Sequence, residues 1–153
     1  MAFDINSLLE KPIEQLEDIS VAFKCPPKAT LRTVIDTLRA AKIGCLIVAE
    51  GNQVQGIITE RDILMKITGK TIDYDKETVQ IYMTPSPITV SKKSSIGEAM
   101  RLMLSHNFRH LVIADEHSSV VQIISIKDLL KYIVSSLDQS ILDSPSELWK
   151  KGA

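Results

Sequence analysis

The segment KATLRTVIDTLRAAKIGCLIVAE, Lys28–Glu50, decides the fold, because KSSIGEAMRLMLSHNFRHLVIAD, Lys93–Asp115, repeats its pattern later in the chain. Apolar residues align with apolar residues throughout this block. Beyond one extra residue in the second loop, VQGIITERDILMKI, Val54–Ile67, aligns with VVQIISIKDLLKYI, Val120–Ile133. Two copies at this period are typical of a duplicated supersecondary unit, in which each copy is too small to be stable by itself.

Within each copy, hydrophobic periodicity predicts the order β-α-β-β-α, and therefore an α+β fold. In the first copy, apolar residues at helical spacing run from Leu31 to Ala41. Two short apolar runs, Cys45–Val48 and Val54–Ile58, predict strands on either side of a polar turn. A second helical stripe opens at Thr59.

The second copy has the same pattern and is expected to be related to the first by pseudo-twofold symmetry. Its aligned elements are a helix from Ile96, strands at Leu111–Ala114 and Val120–Ile124, and a second helix from Ser125. Each copy also begins with a leading strand, Ile19–Cys25 or Ile88–Val90, and the prolines of MTPSP before the second one predict a turn.

The limits of these patterns divide the chain into five segments. They are a leader at 1–18, a first repeat at 19–67, a polar linker at 68–82, a second repeat at 83–134 and a tail at 135–153. The leader and the tail are predicted to be short and helical. In the tail, Ser144-Pro145-Ser146-Glu147 is typical of a helix start, and Trp149 is expected to pack on the body of the protein.

Composition excludes several classes of function. The formal net charge is −1, from 18 basic and 19 acidic residues that are interspersed, so nucleic acid is not an expected partner. No apolar run approaches the roughly 20 residues that span a bilayer, and the N-terminus lacks the pattern of a signal peptide. We therefore expect a cytoplasmic protein without membrane contact, whose Cys25 and Cys45 are reduced thiols.

Two short motifs carry the functional signal. Thr59-x-x-Asp62 and Ser125-x-x-Asp128 each follow a strand and open a helix, where such residues ordinarily cap free backbone N–H groups. The same aspartates could instead accept hydrogen bonds from a ribose diol, with the N–H groups facing a phosphate. Each motif also places a cation, Arg61 or Lys127, in the first helical turn, where the helix dipole disfavours it by about 0.3 to 1 kcal/mol. From the residues alone both interpretations stay open.

Catalytic and metal-binding constellations are not expected in this chain. No GxSxG, HExxH, GxxxxGK[ST] or GxGxxG motif occurs in the sequence. His106 and His110 are four residues apart, but the predicted helix ends between them and no third ligand is in view. We therefore predict neither an enzyme nor a metal site.

At this point the residues resemble a known family. GIITERDIL and QIISIKDLL resemble the signature that ends CBS (cystathionine-β-synthase) repeats, YMTPSPITV resembles the start of a second CBS repeat, and NFRHLVIAD is similar to a strand of that family. Gln122 stands where the family usually has glycine, and Val112 where it often has proline.

The resemblance implies a disc-like module built from a tandem pair of CBS repeats, with two pockets in the cleft between them. The implied ligands are adenosine-containing: AMP, ADP, ATP or S-adenosylmethionine, with no cofactor required. It also implies a homodimer and, for a stand-alone module, regulation of a separate and unidentified partner protein. The alternative is a structural dimerisation or scaffold protein in which the two motifs only cap helices.

The resemblance also assigns residues to the two pockets. The first pocket would combine Thr59, Arg61 and Asp62 with Pro87, Ile88, Arg109 and His110. The second would combine Ser125, Lys127 and Asp128 with Ala22, Phe23, Gly44 and Cys45. Because that grouping gathers two guanidinium groups and an imidazole in the first pocket, we expect the first to be the better phosphate site.

Overall fold

A computed structural model of the protein describes residues 5–17, 19–115 and 120–137. It confirms the α+β fold and the repeated order of elements. The helix start predicted at Ser144–Glu147, Trp149, and the rest of the tail beyond Leu137 lie outside the described residues.

Six helices and eight strands are described. The helices are α1 (Ile5–Leu9), α2 (Leu31–Ala41), α3 (Glu60–Asp62), α4 (Val79–Tyr82), α5 (Ile96–His106) and α6 (Ile126–Leu137). A 3₁₀ turn lies at Ile13–Gln15, and α3 continues as a π-helical segment at Ile63–Ile67. The strands are β1 (Ser20–Val21), β2 (Lys24–Cys25), β3 (Cys45–Glu50), β4 (Gln53–Thr59), β5 (Thr84–Pro85), β6 (Thr89–Val90), β7 (His110–Ile113) and β8 (Gln122–Ser125).

The strands form two four-stranded sheets with matching orders, β2-β3-β4-β5 and β6-β7-β8-β1. In the first sheet β2 runs parallel to β3, whereas β3 and β4 form an antiparallel hairpin. Strand β5 adds to β4, and β1 adds to β8, in each case antiparallel. Each repeat's hairpin is therefore extended by a short strand from the start of the other repeat.

The leading strand predicted at Ile19–Cys25 is wrong as a single element. Strands β1 and β2 belong to different sheets, because Ala22 N donates to Val121 O (3.0 Å) while Phe23 O accepts from Ile47 N (2.9 Å). The chain thus leaves one sheet and enters the other between two consecutive residues. Apolar periodicity predicts that this segment is extended, but it does not predict which strand the segment pairs with.

Helices α2 and α5 begin and end alike, as the aligned sequences predict. The side chains of Thr30 and Ser95 each accept a hydrogen bond from the backbone N–H three residues on, at 3.2 and 3.1 Å. Both helices end in a left-handed residue, Lys42 with φ 52° and Asn107 with φ 54°. The two copies therefore share their capping geometry as well as their apolar stripes.

The linker docks on the start of α2. Leu31 N donates to Glu77 O, and Val79 N donates to Ala29 O, each at 2.9 Å. Val79 is fully buried. The predicted linker therefore contains an ordered helix, α4, which the sequence did not indicate because its four residues are too few to show a helical period.

The leader docks on the start of α5 through the same bonds. Ile96 N donates to Lys11 O, and Ile13 N donates to Ser94 O, each at 2.9 Å. Ile13 is fully buried, like Val79 in the linker. The leader and the linker are therefore equivalent elements. Each makes the same backbone hydrogen bonds to the start of the first helix of the repeat that it contacts.

By its contacts the chain divides into two compact units. The first comprises the described residues of 1–19, 90–111 and 124–153, and the second comprises residues 20–89 with the described part of 112–123. In the second unit, one buried cluster contains Ala22, Cys45, Ile47, Ala49, Ile57, Val112 and Val121, and another contains Cys25, Val34, Leu38, Leu46, Val48, Ile58 and Val79. The buried residues of the first unit include Leu8, Ile13, Leu16, Ile96, Ala99, Met103, Leu111, Ile124 and Leu129. Among the described helices, none combines the length and the apolar character that a membrane crossing requires.

Candidate functional site

The first motif forms a closed turn in the second unit. Thr59 ends β4 and caps α3, and its backbone N–H and its hydroxyl both donate to Asp62 Oδ2 at 2.9 Å. In return, Asp62 N donates to Thr59 Oγ1 at 3.2 Å. One carboxylate oxygen of Asp62 is thus committed to the turn itself.

The second motif forms the same turn in the first unit. The backbone N–H and the hydroxyl of Ser125 donate to Asp128 Oδ2 at 2.8 and 2.7 Å, and Asp128 N donates to Ser125 Oγ at 3.2 Å. The equivalence of the two strand-to-helix turns is confirmed. The capping interpretation therefore holds at both turns. Whether an aspartate can also accept hydrogen bonds from a ligand depends on its second carboxylate oxygen.

Each turn lies beside the start of the preceding strand of its own repeat. Glu60 N donates to Gly44 O at 3.0 Å, and Ile126 N donates to Arg109 O at 2.9 Å. The cause is the antiparallel hairpin, which brings the first residue of one strand opposite the last residue of the next, as for Cys45 and Thr59. The grouping of Arg109 with the Thr59 turn and of Gly44 with the Ser125 turn stays a prediction, because these backbone bonds do not test which residues share a ligand.

The neighbours of the two turns differ in charge. The Ser125 turn has Arg109 and His110 beside it and Lys127 within it, whereas at the Thr59 turn the cations Arg61 and Lys66 are accompanied by the acidic Glu60 and Asp62. Guanidinium and ammonium groups near the N-terminus of a helix favour an anionic ligand. The balance of positive charge therefore lies at the Ser125 turn.

The second carboxylate oxygen of Asp62 is bound within the chain. Lys66 Nζ lies 2.7 Å from Asp62 Oδ1, and Thr84 Oγ1 donates to the same oxygen at 3.4 Å. Only 12% of the Asp62 side chain is exposed. Both oxygens of this carboxylate therefore have partners in the protein.

The second carboxylate oxygen of Asp128 has a different setting. Within the described residues, hydrogen bonds reach Asp128 through Oδ2 and its backbone, and none is made by Oδ1. Asp128 also borders a cavity of about 310 Å³ between the leader and α6, a volume within the range of small-molecule sites. The residues lining the cavity are Gln15, Leu16, Glu17, Ile19, Ile124, Asp128, Lys131, Tyr132, Ser135 and Ser136.

Most of these lining residues were missed by sequence reasoning. The leader was interpreted as a segment outside the repeats, yet it supplies Gln15, Leu16 and Glu17 to the cavity. The leader aligns weakly with the linker, and that alignment could have indicated these residues. It is recognised only from the equivalent backbone hydrogen bonds that the two segments make.

The other predicted residues lie in the second unit. Ala22 and Cys45 are buried in one apolar cluster, Phe23 and Ile88 are exposed, and Pro87 is half-buried. Their predicted contacts with a ligand stay a prediction. In the part of the chain that the structure describes, no group of three or more His, Cys, Asp or Glu side chains is arranged to hold a metal ion.

The two cysteines are buried thiols with depressed acidity. Burial raises the pKa of Cys45 to about 12, with a smaller contribution from the charge of Glu60, and burial raises the pKa of Cys25 to about 11. The neutral thiol is the stable form of both at neutral pH, because a thiolate in an apolar cluster would lose its hydration.

We expect both thiols to resist alkylation in the folded protein. At pH 8, iodoacetamide should modify Cys25 roughly 100-fold and Cys45 roughly 1000-fold more slowly in the native protein than in urea, since the thiolate is the reactive form. Mass spectrometry of timed samples measures both rates. Complete native modification at the rate seen in urea would contradict the burial of these side chains.

Two segments of the chain, residues 16–69 and 78–135, match the family model described as CBS domain. The fold and the paired turns thus define a tandem module, and the chain belongs to the CBS domain family. An uncharacterized 17.7 kDa protein in the bps2 3'region of Acidianus ambivalens is 32% identical over 109 residues, which are 71% of this chain and 65% of that protein. The match therefore spans less than two thirds of that relative.

Solved structures show the same fold. The crystal structure of the CBS domain NE2398 has a TM-score of 0.76 at 26% identity, covering 82% of this chain and 99% of that one. The CBS domain protein PAE2072 from Pyrobaculum aerophilum, complexed with AMP, has a TM-score of 0.69 at 24% identity, covering 80% of this chain and 98% of that one.

Proposed function

We propose that this chain is a non-catalytic regulatory module that binds an adenosine-containing ligand, AMP, ADP, ATP or S-adenosylmethionine, with Asp128 as its main anchor. The observation that carries the proposal is the Asp128 carboxylate. One of its oxygens closes the turn with Ser125, and the carboxylate borders a cavity of about 310 Å³. AMP in the PAE2072 complex supports the choice of ligand class.

The chemistry of the turn suits a nucleoside phosphate. A ribose diol presents two hydroxyl donors, and a carboxylate oxygen accepts them with charge-assisted bonds. Helix α6 is long enough to present a dipole, and the positive end of that dipole attracts phosphate oxygens. Lys127 in the first turn and Arg109 beside it would neutralise the phosphate, and the phosphate would offset the unfavourable place of Lys127.

Regulation follows from differential affinity. A ligand shifts a protein between two arrangements only if it binds one of them more tightly. We propose that the adenosyl ligand changes the surface offered to a second copy of the chain or to a separate partner protein. Exposed apolar side chains that suit such an association include Leu64, Met65 and Ile81 in the second unit and Leu104 and Leu130 in the first unit.

A scaffold without nucleotide is the second candidate. It is favoured by the Asp62 turn, where capping and the ion pair with Lys66 account for both carboxylate oxygens. Thermal melting with AMP, ADP, ATP and S-adenosylmethionine separates the two candidates. A ligand at 100 times its Kd adds about 2.7 kcal/mol to the free energy of unfolding, whereas a scaffold shows no shift with any of them.

Arg109→Ala is expected to weaken AMP far more than adenosine. Loss of a charge-assisted bond of about 1.5 to 3 kcal/mol lowers AMP affinity roughly 10- to 150-fold, and adenosine has no phosphate to lose. Calorimetric titration with both ligands gives the two ratios. Arg101→Ala, at an exposed arginine of α5, is the matched control. Equal losses for AMP and adenosine in Arg109→Ala would contradict a phosphate contact.

A further inference from the structure

Lys66 and Tyr132 occupy the same position in the two copies, four residues after the aspartate of each motif. In the first copy the Lys66 ammonium lies 2.7 Å from Asp62 Oδ1. In the second copy Tyr132 lines the cavity that Asp128 borders. The same position therefore holds a cation that pairs with Asp62 in the first copy and an aromatic ring that lines a cavity in the second copy.

The Lys66 ammonium is held on several sides. It donates to Tyr82 O at 2.9 Å and to Thr84 Oγ1 at 3.4 Å, in addition to its contact with Asp62. An ammonium group has three N–H donors, so these partners use its full capacity. A ligand hydroxyl that approached Asp62 Oδ1 would have to displace a cation already fixed to the backbone.

The segment just after the linker closes over β4 at the same place. A Cβ added at Gly56 would overlap Met83 Sδ and would lie 3.0 Å from Thr84 O, so Met83 fills the space that a side chain would need. The aligned residue of the second copy is Gln122, which carries a side chain. Closure of the first copy therefore rests on a glycine that the second copy lacks.

We infer that Lys66 acts as a built-in substitute for the ligand at Asp62, so that the chain binds one nucleotide, at Asp128, and position 66/132 determines which turn is available. This inference rests on the proposed function. It reverses the expected order of the two pockets and assigns Lys66 a specificity-determining role that neither motif contains.

Transplanting the cation tests the inference. Calorimetry with AMP should give one site per chain for the wild-type protein. Tyr132→Lys should bind AMP at least tenfold more weakly than Tyr132→Met, a side chain of similar length without charge, because the new ammonium pairs with Asp128. Lys66→Met should lower Tm and add a second AMP site, at Asp62, that the wild-type protein lacks. Two equal sites in the wild-type chain, equal Kd values for the two Tyr132 variants, or a single site in Lys66→Met would each overturn the inference.

The outcome is distinguishable from failure of the proposed function. If the wild-type protein binds none of the adenosyl ligands, the proposed function fails, and the pairing of Lys66 with Asp62 is then tested without ligand. A double-mutant cycle of Lys66→Met and Asp62→Asn in urea unfolding measures the coupling of the pair. Non-additive effects support a Lys66 that is fixed on Asp62, and additive effects overturn it.

Discussion

Replacing Asp128 by asparagine is expected to lower the affinity for AMP by at least 100-fold. The ribose diol would lose two charge-assisted hydrogen bonds, each contributing about 1.5 to 3 kcal/mol, and would gain an amide that is a weaker acceptor. The side chain of Asp128 is placed for this role, because one oxygen is fixed by Ser125 and the carboxylate borders the cavity. Calorimetric titration with AMP and adenosine gives the loss for each.

The fold is expected to survive this change. Loss of a cap costs about 1 kcal/mol, which is small beside the affinity loss, and circular dichroism with urea unfolding measures it. Ser125→Ala serves as the control, because it weakens the same turn and leaves a carboxylate at position 128. If Asp128→Asn and Ser125→Ala weakened AMP equally, the turn and not the carboxylate would be responsible.

Replacing Ile13 by alanine is expected to cost about 2 to 5 kcal/mol of unfolding free energy, as for a large buried aliphatic residue. Ile13 is fully buried, and its backbone N–H donates to Ser94 O, so the leader is an integral part of the first unit. Urea unfolding followed by circular dichroism gives the value. A cost of this size would show that the leader is as essential as a core strand.

Two variants make this test specific. Val79→Ala removes the fully buried residue at the equivalent position in the linker and is expected to be comparably destabilising. Ile5→Ala alters a leader residue that is 47% exposed and is expected to change stability by less than about 0.5 kcal/mol. Equal and small effects at Ile13 and Ile5 would refute docking of the leader.

Local sequence patterns do not predict which strands pair with one another. Ser20–Val21 and Lys24–Cys25 read as one extended run, yet they pair with β8 and β3 respectively. The predicted turn at MTPSP contains strand β5, followed by Ser86 with φ 47°. In each case the backbone conformation is local, but the pairing partner is distant in sequence and is selected by the packing of the two hairpins.

The sequence by itself determined the duplication, the α+β order and the two capped turns. Periodicity and capping depend on residues within a few positions of one another, so aligned copies show them directly, as in Thr30 with Ser95 and Thr59 with Ser125. The tertiary structure alone decided which backbone groups lie beside each turn and which aspartate pairs with a cation. Those outcomes depend on contacts between distant segments, Ile126 with Arg109 and Lys66 with Tyr82, for which local sequence carries no physical signal.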